Sequence, residues 1–316
     1  MVADEYLIGR PARISREAPV LILHYSDSFI RPGGATNTAY NLSSLGAGTS
    51  VVGVIGDDEM GQRLRRALSN LNITTDGLVV DPNRPTSTKT RVVGKGAQEA
   101  QQQIVRIDRV DTRSVDGPVR DRLIRAILNA IPCVEALLIS DYENGVISPD
   151  ILDACLPKAR EHDLTITVDS HGDLFRFKGV TAATPNQPEA ESTLHTVISS
   201  DEELEAAGKS LLDGMEARAV LLTRGSEGVA LFERGEPMYQ IPVSLSSEDE
   251  VVDPTGAGDT VAAVFTLAIA CGARMRVAAH LANVAGGEVV RKLGPATLSR
   301  QQLAEALKRS PISPPR

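Results

Sequence analysis

The sequence predicts an α/β fold: a mostly parallel sheet covered by helices on both faces. Two observations predict it. Between residues 118 and 223, short apolar runs alternate with helical runs, the pattern of parallel strands buried on both sides. Further on, the glycine-rich turn 251–260 opens an apolar run, 261–271, that reads as a buried helix. A chain of 316 residues suits one large α/β domain or two small ones, and either buries an ample core.

Taken in order, residues 9–19 are rich in turn formers and arginine, and 20–23 read as a strand. Residues 31–34 read as a turn, and 35–45 as a helix stopped by Gly46. Residues 51–55 form an apolar strand, followed by the turn Gly56-Asp57-Asp58 and a helix over 59–71. Residues 86–93 and 102–108 alternate as strands do, and 94–101 between them read as a hairpin loop. A helix over 119–131 precedes the strand 136–139, which ends at Ser140-Asp141. A second helix, 150–160, precedes 164–168, which ends at Asp169. The rhythm continues through 180–184, a helix near 202–213 and a strand over 219–223. Val251 and Val252 read as the end of one more buried strand. Ligands of such sheets bind beyond the carboxyl ends of the strands, which gathers Asp57, Asp141, Asp169, Asn186 and Arg224 near one edge. No internal repeat or low-complexity tract interrupts the pattern, and the proline-rich tail 310–316 is expected to fray.

A net charge of −8 disfavours nucleic acid or an anionic membrane as the main partner. An acidic chain that handles phosphates needs a local cluster of cations. Cys133, Cys155 and Cys271 are widely spaced and odd in number, which suggests reduced thiols in a cytoplasm, acting as core filler. No apolar run approaches the ~20 residues of a spanning helix, and no basic-then-apolar leader opens the chain. A soluble cytoplasmic protein is expected.

The chemistry centres on Asp253-Pro254-Thr255-Gly256-Ala257-Gly258-Asp259. A turn that opens a helix presents unpaired N–H groups at the positive end of the helix dipole, an anion site. Gly256 and Gly258 let a bulky anion approach the backbone. A lone aspartate at a helix start is explained by the dipole alone. Two glycines, an alanine and an acid together favour a carboxylate that takes a proton from a hydroxyl while the N–H groups stabilise a migrating phosphoryl group. The P-loop alternative fails: Gln62 follows Gly61 where its lysine belongs.

Two motifs carry a resemblance. Gly33-Gly34-Ala35-Thr36-Asn37, with Leu45-Gly46 and Gly56-Asp57-Asp58 beyond it, resembles the first motif of the ribokinase-like (PfkB) carbohydrate kinases, and residues 253–259 resemble their second. Within that family, Arg31-Pro32-Gly33-Gly34, Thr88-Lys89-Thr90-Arg91, Arg106-Ile107-Asp108, Ser140-Asp141-Tyr142 and Lys292-Leu293-Gly294 are most similar to the heptose 7-phosphate kinases of lipopolysaccharide-core synthesis, in their kinase-only form. The resemblance implies a Rossmann-like domain over 1–316 with a small β lid, approximately residues 5–31 and 84–109, often used for homodimerisation. It implies Asp259 as base and the amides of Gly256, Ala257 and Gly258 as anion hole. Asp4, Arg31, Gly33, Gly34, Asn37 and Asp141 would face the sugar. Asn186, Thr223, Arg224, Gly225, Gly228 and Asn283 would border ATP, and Glu189 would help to place Mg²⁺; a monovalent cation is a further candidate cofactor.

The residues also support plainer readings. Asn186 followed by Pro188 and Glu189 is equally an ordinary helix start, with Asn as cap and Glu reaching back. Gly33-Gly34 alone would be a plain turn, and 223–228 a weak turn signal. Lys89 and Arg91 project to one face of a strand, with Arg106 on its hairpin partner, so three cations converge as a grip for a phosphate on the acceptor. The competing reading is a solvated edge strand protected by charge.

Three departures stand against the heptose kinases. Asn144 stands where they usually place a lysine, and Ser170-His171 where they usually have Pro-Lys; His171 can replace part of that charge, with an unperturbed pKa of ~6.5. A buried strand ending in Gly-Asp usually precedes the segment that begins here at Val2-Ala3-Asp4, so the first core strand is expected to be missing, through a late start in preference to a rearranged sheet. The expected activity is ATP-dependent phosphorylation of a hydroxyl on a sugar or sugar phosphate. A kinase for another sugar or a nucleoside, and a sugar- or nucleotide-binding protein with weak catalysis, remain as alternatives.

Overall fold

The computed structural model describes residues 1–96, 101–243, 251–292 and 294–310. Part of the expected 94–101 hairpin loop, Leu293 and the tail beyond Ser310 lie outside them.

The chain opens with two long strands, β1 (Val2–Ile14) and β2 (Leu21–Gly33), then α1 (Ala35–Ser44), β3 (Thr49–Gly56), α2 (Glu59–Asn70), β4 (Ile73–Asp81), β5 (Ser87–Lys95) and β6 (Gln101–Arg109). The alternation follows: α3 (Gly117–Ala130), β7 (Ala136–Asp141), α4 (Pro149–Glu161), β8 (Thr165–Ser170), β9 (Ala182–Ala183), α5 (Gln187–Leu194), α6 (Asp201–Met215), β10 (Ala219–Thr223), β11 (Val229–Glu233) and β12 (Tyr239–Ile241). Three helices close the described chain, α7 (Ala257–Ala270), α8 (Met275–Val289) and α9 (Arg300–Arg309).

The main sheet runs β12-β11-β10-β9-β8-β7. Strands β7 to β10 are parallel, and β11 and β12 add an antiparallel edge. Alternate side chains of one strand feed opposite cores: Val220 and Leu222 pack with α4 and α6, Ala219 and Leu221 with α7 and α8. A parallel pair, β3 and β4, forms its own sheet between a core with α1 and α2 and another with α3 and α4. Among the described residues no strand pairs with both β3 and β7, so the two sheets remain unjoined at those edges.

The lid is a four-stranded sheet, β2-β1-β5-β6. Residues 9–14, expected as turn, and 31–33, also expected as turn, are strand: Asp4 pairs with Arg31, Pro11 with Leu23 and Ile14 with Leu21. Irregular register between Ile8 and Gly9 and between Pro11 and Arg13 absorbs the turn-forming residues. Pairing with β5 ends at Gly9, so Pro11 forfeits no bond to β5. A second correction concerns Val251 and Val252. Both are more than half exposed and belong to no strand. The backbone of Val252 and Asp253 instead donates to the carbonyl of Val290 just beyond α8, which ties the segment down without a neighbouring strand. Of the three cysteines expected as core filler only Cys155 is buried; Cys133 and Cys271 are exposed.

Candidate active site

Helix α7 is apolar on every side and runs through the core, with Phe265 fully buried. Its first turn therefore meets solvent only at the sheet edge. Gly256 precedes it with φ 81°, and a β-carbon there would stand 2.7 Å from Asn37 Nδ2, so the turn and the asparagine fit only around a glycine. Gly256, Gly258 and Asp259 border a cavity of about 330 Å³. The Ala257 N–H, expected in the anion hole, donates to Pro254 O at 3.2 Å, because it closes the turn that starts the helix. Gly256 and Gly258 thus carry the expectation that the three shared.

Asp259 is 6% exposed. Its Oδ2 accepts from Asn37 Nδ2 at 2.7 Å, and its Oδ1 from Thr38 Oγ1 at 3.1 Å and Tyr142 OH at 2.7 Å. Burial raises its pKa above the usual carboxylate value, and these hydrogen bonds oppose the rise. The result is a fixed carboxylate with a strengthened appetite for a proton. Asn37 Oδ1 is buried without a partner among the described residues, behind the cavity wall and not on it.

The lid supplies the opposite wall. Arg91 and Arg106 face each other across β5 and β6, and with Lys89 and Asp4 they border the same cavity. Arg91 Nη2 holds Asp4 Oδ1 at 2.9 Å, and Arg106 grips Asp108 with two bonds of 2.9 and 3.0 Å. Asp4 is buried, which lifts its pKa against the pull of Arg91 and Lys89. A β-carbon on Gly33 would lie 2.5 Å from Asp4 Oδ2, so Gly33 makes room for that carboxylate.

The third wall lies at the ends of β8 to β10. Asp169, His171, Thr184, Asn186, Glu189 and Thr223 border the cavity there. Asn186 and Glu189 form a reciprocal cap on α5, each side chain bonding the other's backbone N–H at 2.8 Å, and Glu189 also holds His171 Nδ1 at 2.5 Å. That bond raises the His171 pKa, which favours the protonated imidazole where lysine is usual. Asp169 is pushed up to about 7, first by burial and then by the charges of Asp259 and Glu189. No group of three potential metal ligands converges among the described residues. Two cavity carboxylates, Asp169 and Glu189, suit a Mg²⁺ carried mainly by phosphates, not a protein cage.

Other expected residues stand further out. Arg31 reaches toward Pro295 O, lies over the Tyr6 and Phe29 rings, and lines a neighbouring lid cavity. The Asp141 carboxylate is 3% exposed and turns to Glu143 N, Ser170 and Arg176. Arg224 is occupied by Gln187, Gln240 and Glu227, with Gly225 and Gly228 in the turn beside it. Asn283 donates to Pro242 O at 2.8 Å. Gly34 does border the cavity. Sequence reasoning missed Thr38 and Tyr142 as partners of Asp259; Tyr142's place directly after an apolar strand was the one available signal.

Comparison with known proteins places this geometry. Escherichia coli phosphofructokinase-2, solved with substrates and products, superposes with a TM-score of 0.77 at 18% identity, covering 98% of this chain and 96% of that one. Arabidopsis thaliana ribokinase, complexed with ribose and ATP, gives 0.72 at 20% identity, with 97% and 96% covered. The molecule is a ribokinase-like α/β protein. Residues 6–302 match the model of the pfkB family carbohydrate kinases. "Bifunctional protein HldE" of Geobacter sulfurreducens is 42% identical over 309 residues, 97% of this chain and 61% of that protein. Its namesake from Vibrio parahaemolyticus is 39% identical over 310 residues, 97% and 62%. The chain thus spans about three fifths of the length of these curated relatives. It belongs to the pfkB family and is an ATP-dependent carbohydrate kinase.

Proposed function

We propose that this kinase phosphorylates a hydroxyl of a sugar phosphate, a heptose 7-phosphate being the acceptor its motifs fit. The observation that carries the reading is one cavity with Asp259 and the Gly256 and Gly258 backbone on one side and Lys89, Arg91 and Arg106 on the other. Asp259 takes the proton of the acceptor hydroxyl as its oxygen attacks the terminal phosphorus of ATP in line. The amides at the start of α7, and His171 when protonated, face the charge that spreads over the transferring group. Mg²⁺, bound with the phosphates near Asp169 and Glu189, would neutralise that charge further. Lid cations hold the acceptor's own phosphate and, as the lid closes, exclude water.

The lid segments are read as insertions in a single kinase unit over the whole chain. A second copy covering the lid fits the uniformly exposed strand β6, with Ile104, Val105 and Ile107 open to solvent. A cytoplasmic setting belongs to the same reading. No described helix is long and apolar enough to cross a membrane. The test is ADP release with Mg²⁺ across hexoses, heptoses, their phosphates and nucleosides. Strong preference for a sugar phosphate supports the reading; equal or better turnover of a free sugar or nucleoside refutes the acceptor class. Asn144 and His171 give that second outcome its footing.

A further inference from the structure

Three donors hold Asp259, and they are not equivalent. Asn37 and Thr38 stand on α1 and are 0% and 2% exposed, fixed within the core. Tyr142, in the loop after β7, borders the cavity; those two do not. A carboxylate offers about four lone-pair positions, and three of those on Asp259 are taken. An alcohol that approaches from the cavity therefore meets the Tyr142 bond first.

The Tyr142 ring has its own restraints. Its edge meets His171 with centroids 4.4 Å apart, and a β-carbon on Gly34 would lie 3.1 Å from it. Lys89 Nζ sits 5.4 Å from the ring centroid, in reach of a cation–π attraction. Arg91 is paired with Asp4 and Arg106 with Asp108, whereas Lys89 makes no ion pair among the described residues. An anionic group on the acceptor draws this cation first.

We infer that the Tyr142 hydroxyl holds the acceptor's place on Asp259 until the acceptor arrives, and that Lys89 latches the ring in this position. The inference rests on the kinase reading above and adds an ordering to it. An acceptor with a phosphate pulls Lys89 off the ring, the phenol swings away, and the acceptor hydroxyl takes over its bond to Asp259. A free sugar leaves the latch closed. Water meets a base already occupied, so ATP is protected from hydrolysis. Tyr142 is thus a positioning residue, and discrimination resides in the pair it forms with Lys89.

The charged and titratable groups around the pair are Asp169 and His171 at the end of β8, Glu189 behind His171 on α5, and Asp4 and Lys89 on the lid. The experiment is Tyr142→Phe, which keeps the ring and removes the bond, with pH profiles in acceptor and in ATP alone. The phenol's bond favours ionised Asp259, and kcat/KM reports the free enzyme where kcat reports the complex. The acid limb of kcat/KM should therefore move to higher pH while the limb of kcat stays, and acceptor-free ADP release should rise about tenfold, short of the ~10²–10⁴-fold of a full general-base effect because water is a poorly held acceptor. Limbs that move together mean that the phenol remains on the base through turnover, and limbs that both stay mean that it never mattered; either result overturns the inference. Should the variant fail to fold, Lys89→Met serves: increased acceptor-free ADP release supports the latch, and an unchanged rate removes it. Asp259→Asn in the same series separates the readings, since its loss of turnover beside an unmoved Tyr142→Phe profile sinks only this one.

Discussion

Asp169 and Asp259 lie at the cavity with overlapping fields, and burial raises the pKa of each. For Asp169 the folded value of about 7 lies above the unfolded 3.8. The folded state therefore holds its proton more tightly, and this contribution to stability is complete below the unfolded value and is lost as pH rises through the folded one. Asp169→Asn, which keeps the shape without the charge, should melt several degrees above the native chain at pH 8 when free of ligand. The gap should close as pH falls below 7; a melting difference independent of pH contradicts the assignment. Gly256→Ala tests the neighbouring turn. Its φ of 81° and the nearby Asn37 amide predict a stability loss of roughly 1–2 kcal/mol in denaturant titration, with turnover falling as Asn37 is displaced from Asp259. At this scale the sequence was legible where the chemistry is local. Asp259 and its glycines stand within one turn, and Asn186 and Glu189 cap a helix three residues apart. Thr38 and Tyr142 reach Asp259 from 221 and 117 residues away, and no local pattern records such contacts.

Among the elements, the proposed function gives the choice of acceptor to the lid. Arg106→Ala and Lys89→Ala should lower kcat/KM for a sugar phosphate far more than for its free sugar, by about 10- to 100-fold if one or two charge-assisted bonds are lost. Equal losses on both substrates leave those cations with a structural role only. The hairpin of β5 and β6 was readable from its alternation, and Arg91 opposite Arg106 follows from it. Its neighbours β1 and β2 were not, because Gly9 and Pro11 read as turn formers and the irregular register that tolerates them depends on the partner strand. Strand β4 escaped notice because Asp76 and Gly77 interrupt its apolar run. In the other direction, Val251 and Val252 had strand composition but find no neighbour to pair with, which is what composition leaves out.

For the whole molecule, the alternation of helix and strand anticipated the parallel strands β7 to β10, because parallel neighbours need crossover connections; the antiparallel edge of β11 and β12 lies beyond the alternating run. The division between the six-stranded sheet and the β3–β4 pair concerns long-range pairing, which periodicity does not reach. Helix α7 links core and cavity: Phe265 is fully buried on the helix whose first turn holds Asp259. Phe265→Ala should cost about 3–5 kcal/mol of unfolding free energy in chemical denaturation, and a loss below 1 kcal/mol contradicts so tight a core.

The central claim is that Asp259 is the base in a phosphoryl transfer to a sugar phosphate. Its most direct measurement is ADP release by the native chain and by Asp259→Asn, with Mg²⁺, ATP and heptose 7-phosphate, alongside nucleotide binding by calorimetry. The account predicts acceptor-dependent release by the native chain, a loss of ~10²–10⁴-fold in the variant, and nucleotide affinity kept within a few-fold. Near-native turnover by Asp259→Asn would contradict it.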